Sequence, residues 1–189
     1  MLHGCGKVAR CDTVSSRHQR HQPPCFRREI GSASRDVRGL LRVHQFEKVE
    51  QFVLCVPDAD ESAHWHAELL GTAERILQEL GLAHEVVEVC TGDMGLGKFR
   101  MNDINTWFPS LDRFRETHSC SSLHDWQARR ANLRYRDADG AIRFAHTLNN
   151  TAIATPRLLA AVIENGQTAT AEVRVPEVLR PYLGQRELL

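Results

Sequence analysis

The sequence predicts an α+β fold in which helices flank an antiparallel β-sheet. Three features point to this class: an amphipathic helical pattern over residues 60–80, several short apolar runs with strand-like composition, and an Asp139-Gly140 pair between two of those runs. Asp-Gly flanked by apolar runs is among the strongest short signals for a β-hairpin. Strands joined by such turns pair antiparallel, because a parallel pair needs a crossover of a dozen or more residues.

The first two predicted strands, residues 24–30 and 43–56, flank a loop rich in Gly, Ser and Arg. Alternate side chains of a strand share one face. If the two strands pair, one surface therefore carries a cation, an aromatic ring and carboxylates. The residues that would form it are Arg27, Glu29, Phe46, Lys48 and Glu50. Such a surface suits a nucleotide, since a guanidinium binds phosphate, a ring stacks on a base and a carboxylate accepts from an amine.

Residues 60–80 form the clearest predicted helix. Acidic side chains precede it and occupy its first turn, and Gly81 is a stop signal. The apolar positions at helical spacing are Trp65, Leu69, Ala73, Ile76, Leu77 and Leu80. We interpret this stripe as core that packs on the sheet. His64 and His66 are predicted to be exposed to solvent.

Shorter elements are predicted in the rest of the chain, with polar turns between them. Pro156 suits the first position of a helix over residues 157–165. The other predicted elements are strands over residues 84–90, 104–109, 114–119, 133–136 and 142–148 and a helical turn over 125–130. Residues 92–98 fit the first seven positions of a P-loop, but Phe99 stands where Ser or Thr should meet magnesium. We therefore interpret this stretch as a turn.

Composition indicates one globular domain. The chain has 189 residues, of which 42% are hydrophobic and 25% charged, as is usual for a protein that buries a core. It has no apolar run long enough for a membrane span and no continuous apolar stretch at its start, so we expect a cytoplasmic location. Six cysteines without paired spacing are interpreted as reduced thiols.

Charge is spread unevenly along the chain, although the formal net charge is zero. Residues 1–42 hold nine Lys or Arg and three Asp or Glu, whereas the rest hold 15 and 21. A basic front part fits contact with phosphate or RNA, and a solvated loop is the alternative. Residues 1–22 show no helix or strand pattern, so we expect a disordered or non-homologous leader there and a single domain over 23–189.

The predicted opening hairpin contains a long motif. Its first strand reads FRRE over residues 26–29, and its second segment reads GLLRVHQFEKVE over residues 39–50. These segments resemble motif 2 of the class II aminoacyl-tRNA synthetases, in particular of the seryl-tRNA synthetase family. The resemblance extends from about residue 24 to residue 184. Its later landmarks are residues 91–95, 119–121, 127–130, 146–149 and 175–182.

The resemblance implies the catalytic core of a class II aminoacyl-tRNA synthetase. Such an enzyme uses ATP and Mg²⁺ to activate L-serine to seryl-adenylate and then transfers the seryl group to tRNA(Ser), and the family forms homodimers. No segment resembles motif 1 or the tRNA-binding coiled-coil arm, so the chain is expected to be the C-terminal part of the catalytic domain, truncated at its N-terminus. Two alternatives stay open: a non-catalytic nucleotide-binding paralogue, and a stand-alone enzyme that adenylates an amino acid.

The resemblance also implies roles for individual residues. Those expected to bind ATP are Arg27, Arg28, Glu29, Phe46, Glu116, Thr117, His118, Ser119 and Arg157. Arg27 and Arg157 would be catalytic, because they would neutralise phosphate charge during the reaction. Glu116 and Ser119 would hold Mg²⁺ together with ATP, since oxygen ligands suit that ion.

Two further residues are expected to contact serine: Glu50 would accept from its hydroxyl, and Thr151 would line its side chain. Several of these assignments have a structural alternative. Glu116 could be a plain surface carboxylate, and Thr151 a strand residue without ligand contact. Arg157 could instead pair with Glu164 or with a loop carboxylate.

Five positions depart from the family pattern. They are Arg100, Asn102, Asn105, His118 and Ser122, where the family usually has Lys, Tyr, Glu, Ser and Asn. By their place in the sequence they are expected on the amino-acid and magnesium side of the site, whereas motif 2 is nearly intact. The changes at Asn105, His118 and Ser122 favour the nucleotide-binding paralogue among the alternatives, as does the missing motif 1.

Overall fold

A seven-stranded antiparallel sheet is the centre of the molecule. The computed structural model describes residues 17–22, 24–28 and 40–189. The strands are β1 (Arg17–His21), β2 (Pro24–Phe26), β3 (Gln45–Cys55), β4 (His84–Glu88), β5 (Arg100–Phe108), β6 (Arg113–His124), β7 (Arg134–Arg136), β8 (Ile142–Phe144) and β9 (His146–Ala154). Their order in the sheet is β1-β3-β9-β6-β5-β4, with β2 paired to β3, while β7 and β8 form a separate hairpin.

Three α-helices accompany the sheet within the described ranges. They are α1 (Ala59–Glu79), α2 (Trp126–Ala131) and α3 (Thr155–Gly166), and short 3₁₀ helices cover Pro109–Leu111 and Glu177–Leu183. The predicted α+β class with an antiparallel sheet is therefore confirmed.

Helix α1 begins and ends where its sequence signals lie. The Asp58 side chain caps the helix by accepting from the Glu61 amide at 2.8 Å, which satisfies one of the unpaired donors of the first turn. Gly81 follows the helix with φ +69°, a conformation that glycine adopts without strain.

Helices α1 and α3 cover one face of the sheet, which we call the helix face. The buried residues of its two apolar clusters are Val53, Cys55, Leu69, Ala73, Leu77, Leu82, Ile104, Phe108, Cys120, Leu148, Leu158, Ala160 and Ala161. Along β5, buried positions alternate with partly buried ones, as expected for a strand with one face on the core. The opposite face carries the candidate site.

Two register shifts interrupt the ladders beside that site. Between β5 and β6, Ile104 pairs with His118 but Asn105 pairs with Glu116, which leaves Thr117 as an extra residue. Between β3 and β9, Val49 pairs with Ile153 and Glu50 with Thr151, which leaves Ala152 extra. Bulges of this kind re-aim side chains and are frequent next to functional sites.

Strand β1 corrects the expectation that residues 1–22 contain no strand. Residues 17–21 pair antiparallel with residues 50–54 of β3. Their polar sequence has no apolar alternation, because an edge strand gains its hydrogen bonds from its neighbour and needs no buried face.

His66 corrects a second expectation, because it is 2% exposed rather than solvated. Its Nε2 lies 2.8 Å from the Asn102 side-chain oxygen, and its pKa is lowered chiefly by burial. The helical stripe was interpreted from apolar residues alone, so a histidine satisfied by a partner on β5 was missed. His64 is exposed, as predicted.

Candidate active site

The β2–β3 hairpin brings Arg27 and Phe46 together. Cys25 pairs with Phe46 in the ladder, and the Arg27 amide donates to the His44 carbonyl at 2.8 Å. The Arg27 guanidinium carbon then lies 4.9 Å from the centre of the Phe46 ring. A cation over an aromatic face is attracted to it, so the ring orients the guanidinium along the open face of the sheet.

Lys48, Glu50 and Thr151 form a second cluster on the same face. Lys48 Nζ lies 2.7 Å from a Glu50 carboxylate oxygen. The Thr151 hydroxyl donates to the same carboxylate at 3.2 Å, because Thr151 is the register partner of Glu50 across β3 and β9. The two residues expected to contact serine are thus neighbours, with a cation beside them.

Arg157 joins the first turn of α3 to strand β6. One of its terminal nitrogens donates to the Glu116 carbonyl at 2.8 Å and lies 3.2 Å from the Glu116 carboxylate. Its Nε donates to the Leu41 carbonyl at 3.3 Å. The alternative pairing with Glu164 does not form, since that carboxylate accepts from the Ser110 amide instead. Arg157 therefore pairs with another expected site residue.

Asp103 lies beside the expected magnesium ligands, although the sequence reasoning missed it. It is the register partner of Ser119, and one of its carboxylate oxygens is buried without a hydrogen-bond partner among the described residues. Burial first, and then the charge of Glu116, raise the pKa of Asp103, while a hydrogen bond with the Ser119 side chain opposes them. Counting residues across the turn after β5 would put Asp103 opposite His118. The extra residue Thr117 shifts the ladder so that Asp103 pairs with Ser119 instead, and local sequence does not signal that shift.

The described side chains around Ser119 offer the oxygen ligands that Mg²⁺ prefers. Glu116 and Asp103 supply carboxylates, Ser119 supplies a hydroxyl, and the orphaned Asp103 oxygen is a group that a cation would satisfy. The residues present therefore fit the ion. In the described ranges no group of three or more His, Cys, Asp or Glu side chains converges on a common point, so ligand or water oxygens would complete the coordination.

Two adjoining cavities open on this face. The central pocket has a volume of about 100 Å³ and is lined by Arg27, Leu41, Val43, Phe46, Lys48, Glu116, Thr117, Ser119, Thr151, Ala154, Pro156 and Arg157. The arginine pocket has a volume of about 370 Å³ and is lined by Leu41, Arg42, Asn105, Phe114, Arg115, Glu116 and Arg157. Five cations against one carboxylate in the two linings favour a polyanionic ligand.

The His118 side chain faces away from the central pocket. Its side chain is 1% exposed and lies on the helix face, where Nδ1 is 2.8 Å from the Thr117 hydroxyl. Burial lowers the pKa of His118 to about 4. The ring lies across the sheet from the central pocket and does not line it, so a role of His118 in binding ATP stays a prediction that its side chain does not support.

The other expected ATP ligands differ in placement. Thr117 lines the central pocket, but its hydroxyl is held by Thr106 at 2.7 Å and by the Ile104 carbonyl at 3.2 Å. Arg28 is exposed and is not part of the lining of either pocket. Glu29 lies outside the described residues.

The open face of the sheet thus presents the Arg27–Phe46 pair, the Glu50–Thr151 pair and an arginine-rich cavity. The family of the tRNA synthetase class II core domain (G, H, P, S and T) matches residues 20–166, and the chain belongs to this family.

The similar proteins include serine--tRNA ligases. The serine--tRNA ligase of Deinococcus radiodurans is 61% identical over 164 residues, which is 87% of this chain and 39% of that protein. The serine--tRNA ligase of Thermococcus sibiricus is 48% identical over 88% of this chain and 36% of its own length. The chain thus spans less than two fifths of the length of these relatives.

Solved structures of seryl-tRNA synthetases have the same fold as this chain. Seryl-tRNA synthetase from Pyrococcus horikoshii complexed with ATP matches with a TM-score of 0.86 and 45% identity, over 92% of this chain and 38% of that one. Cytoplasmic serine-tRNA ligase from Naegleria fowleri in complex with AMP matches with a TM-score of 0.85 and 38% identity, over 92% and 41%. Prolyl-tRNA synthetase from Giardia lamblia, at 14% identity and a TM-score of 0.75 over 88% and 32%, shares the fold alone.

Among the helices of the described residues, none combines the length and the apolar content that a membrane crossing requires.

Proposed function

We propose that this chain carries the ATP- and serine-binding core of a serine--tRNA ligase. The activity would form seryl-adenylate from L-serine and ATP and then transfer the seryl group to tRNA(Ser). The single observation that supports it best is that the Arg27–Phe46 pair and the Glu50–Thr151 pair share one open face of the sheet beside Arg157. Identity of 61% to a serine--tRNA ligase supports the choice of serine.

In the first step a serine carboxylate oxygen attacks the α-phosphorus of ATP, and the bond to pyrophosphate breaks. Both reactants are negatively charged, so the main task of the protein is to neutralise charge and to align the attack. Arg27 has a planar guanidinium that suits two phosphate oxygens. Arg157 borders both cavities, so it lies where a terminal phosphate would extend from the central pocket into the arginine pocket.

Serine would be held by the cluster of Lys48, Glu50 and Thr151. The Glu50 carboxylate is oriented by Lys48 at 2.7 Å and Thr151 at 3.2 Å. It would accept from the serine hydroxyl, and an analogue without that hydroxyl would leave a partly buried carboxylate short of one donor. Sites that hydrogen-bond a substrate hydroxyl discriminate strongly against the analogue that lacks it.

Mg²⁺ would be held by Glu116 and Ser119, and it would supply positive charge near the phosphates when bound. Asp103 accepts from Ser119 in the free protein and so orients that hydroxyl. The proposal also includes a cytoplasmic location and a homodimeric state, and these two parts rest on the family resemblance.

Among the alternatives, the non-catalytic paralogue loses support from the location of the departures. Asn102, His118 and Ser122 are 5%, 1% and 3% exposed and lie on the helix face, so these substitutions alter the core and not the site. Arg100 pairs with Glu88 at the surface. Only Asn105 borders a cavity of the site.

Serine-dependent exchange of labelled pyrophosphate into ATP tests this proposal, with threonine and alanine as substrate controls and Arg113→Ala as a control variant at an exposed arginine outside both pockets. We expect exchange with serine alone, and its loss in Arg157→Ala. If a folded sample shows no pyrophosphate exchange with serine, threonine or alanine, the proposal is contradicted and a binding protein is favoured. Exchange with serine but no charging of tRNA would favour the stand-alone adenylating enzyme.

A further inference from the structure

Arginines are concentrated in one part of an otherwise acidic body. Residues 40–189 hold 16 Lys or Arg and 21 Asp or Glu, yet residues 125–144 hold five Arg, no Lys and only three Asp. These residues form α2 and the β7–β8 hairpin, which lie apart from both pockets. We call the five residues Arg129, Arg130, Arg134, Arg136 and Arg143 the arginine surface; all five are exposed.

Aromatic rings organise this surface. The guanidinium carbons of Arg129 and Arg134 each lie 4.8 Å from the centre of the Phe144 ring. Arg130 stacks on Trp126 at 3.6 Å. A guanidinium on a ring face keeps its N–H edges directed outward, and its order is set before any ligand arrives.

Ion pairs use only two of the five charges. Arg129 is paired with Asp125, and Arg143 with Asp137. Arg130, Arg134 and Arg136 have no carboxylate partner in the part of the chain that the structure describes, since Arg130 and Arg136 donate only to the Trp126 and Gly140 carbonyls. These three side chains therefore have donors available to a ligand.

The surface is mounted rigidly on the fold. Trp126 packs so closely on Gly97 that a Cβ there would overlap its ring. Gln127 accepts from the Thr147 hydroxyl at 2.9 Å, and the Leu133 amide donates to the Ala128 carbonyl at 2.8 Å. Helix α2 and the hairpin after it are thus held in a fixed relation to the sheet.

We propose that the arginine surface binds the phosphate backbone of RNA. The choice of RNA rests on the proposed function, whose second substrate is a tRNA. The chemistry favours it over an acidic polypeptide, because planar guanidinium forks match phosphate oxygens and the ring faces that a protein partner would bury are covered by arginines. Contacts of this kind set affinity and position rather than sequence preference.

The test is the salt dependence of binding to fluorescein-labelled unfractionated tRNA, followed by fluorescence anisotropy. The variant is the triple substitution Arg130→Ala, Arg134→Ala and Arg136→Ala. Its matched control removes three other exposed charges, Arg75→Ala, Arg113→Ala and Arg186→Ala. Both retain the basic residues before position 43, so any contribution of those residues cancels. Circular dichroism and thermal melting check that both fold.

We expect the slope of log Kd against log salt to fall by about 1 for each arginine that contacts a phosphate, hence by roughly 2–3 in the arginine-surface variant. The control should keep the slope of the unaltered protein. Equal slopes in the two variants would overturn the proposal. So would poly-L-glutamate binding as tightly as tRNA and losing affinity in the same variant, because the surface would then take acidic polypeptides.

This readout needs neither ATP nor serine. Pyrophosphate exchange should be unchanged in the arginine-surface variant, since its residues lie outside both pockets. Failure of exchange with intact RNA binding would count against the proposed function alone, and intact exchange with unaltered slopes would count against the arginine surface alone.

Discussion

Arg27 directly follows the short strand β2 and is oriented by the Phe46 ring rather than by a carboxylate. Because no opposite charge neutralises it in the described residues, its guanidinium is available to a phosphate. Arg27→Ala should remove a charge-assisted contact of about 1.5–3 kcal/mol and so weaken ATP binding roughly 10- to 150-fold. Isothermal titration with ATP measures this.

The fold should survive this substitution, because Arg27 is exposed. Arg113→Ala is the control at another exposed arginine. Unchanged affinity of Arg27→Ala for ATP would show that this face of the hairpin does not bind the phosphates.

His118 gives the molecule a defined sensitivity to acid. Its pKa is lowered from 6.5 to about 4 by burial, so between these values the unfolded chain binds a proton that the folded chain excludes. The free energy of unfolding is therefore highest above about pH 6.5, and His118 lowers it by about 3 kcal/mol as the pH falls toward 4. His66 acts in the same direction.

The variant His118→Ser should therefore lose less stability between neutral pH and pH 4.5 than the unaltered protein, although it is less stable at neutral pH because of the cavity. Urea unfolding at both pH values measures the difference. The exposed His64→Ser is the control, and an identical pH dependence in His118→Ser would refute the assignment.

Helix α1 was predicted closely, and strands β5 and β6 were predicted too short. The helix has a capping aspartate, a terminal glycine and a regular apolar stripe, which are local signals. The ends of the two strands carry buried polar residues, such as Asn102 and Ser122. The Asn102 side chain is satisfied by His66, which is 36 residues away in the sequence. Local composition cannot report such partners.

The site shows the same division between local and distant information. The hairpin motif placed Phe46 beside Arg27 correctly, because strand alternation applies within one turn. The facing of His118 was not accessible from the sequence, since the bulge at Thr117 changes which residue meets the pocket. Asp103 became a neighbour of Glu116 only through the same register.

The contact between α1 and the sheet should dominate stability. Leu77 is fully buried in the apolar cluster with Ile104 and Phe108. Leu77→Ala should lower the free energy of unfolding by about 2–5 kcal/mol, because it removes apolar contacts and leaves a cavity. Gln78→Ala, one residue on and exposed, should change it by about 0.5 kcal/mol or less. Equal losses in denaturant titrations would contradict this view of the core.

At the scale of the whole molecule, the sheet separates the apolar core from the candidate site. Its helix face holds the core and three of the five departures from the family pattern, whereas its open face holds both pockets. Substitution of the core can therefore proceed without disturbing the site.

A ligand that binds only the folded state must stabilise the whole chain. ATP with Mg²⁺ at a hundredfold excess over its Kd should add about 2.7 kcal/mol and raise the melting temperature by roughly 5–10 °C. Differential scanning calorimetry measures this shift, with inorganic sulfate as a control for general anion binding. An equal shift with sulfate would mean that the cavities hold anions without recognising the nucleotide.

Strand β1 hydrogen-bonds to the outer edge of β3 over residues 50–54. That stretch of β3 includes Phe52, Val53 and Leu54, so without its neighbour it would present open amides and carbonyls along an apolar strand, which is a template for pairing between molecules. A shortened chain beginning at Gln22 should therefore self-associate, and light scattering against the 189-residue chain would reveal it. The five polar residues of β1 would thus protect the edge of β3 from pairing with other molecules.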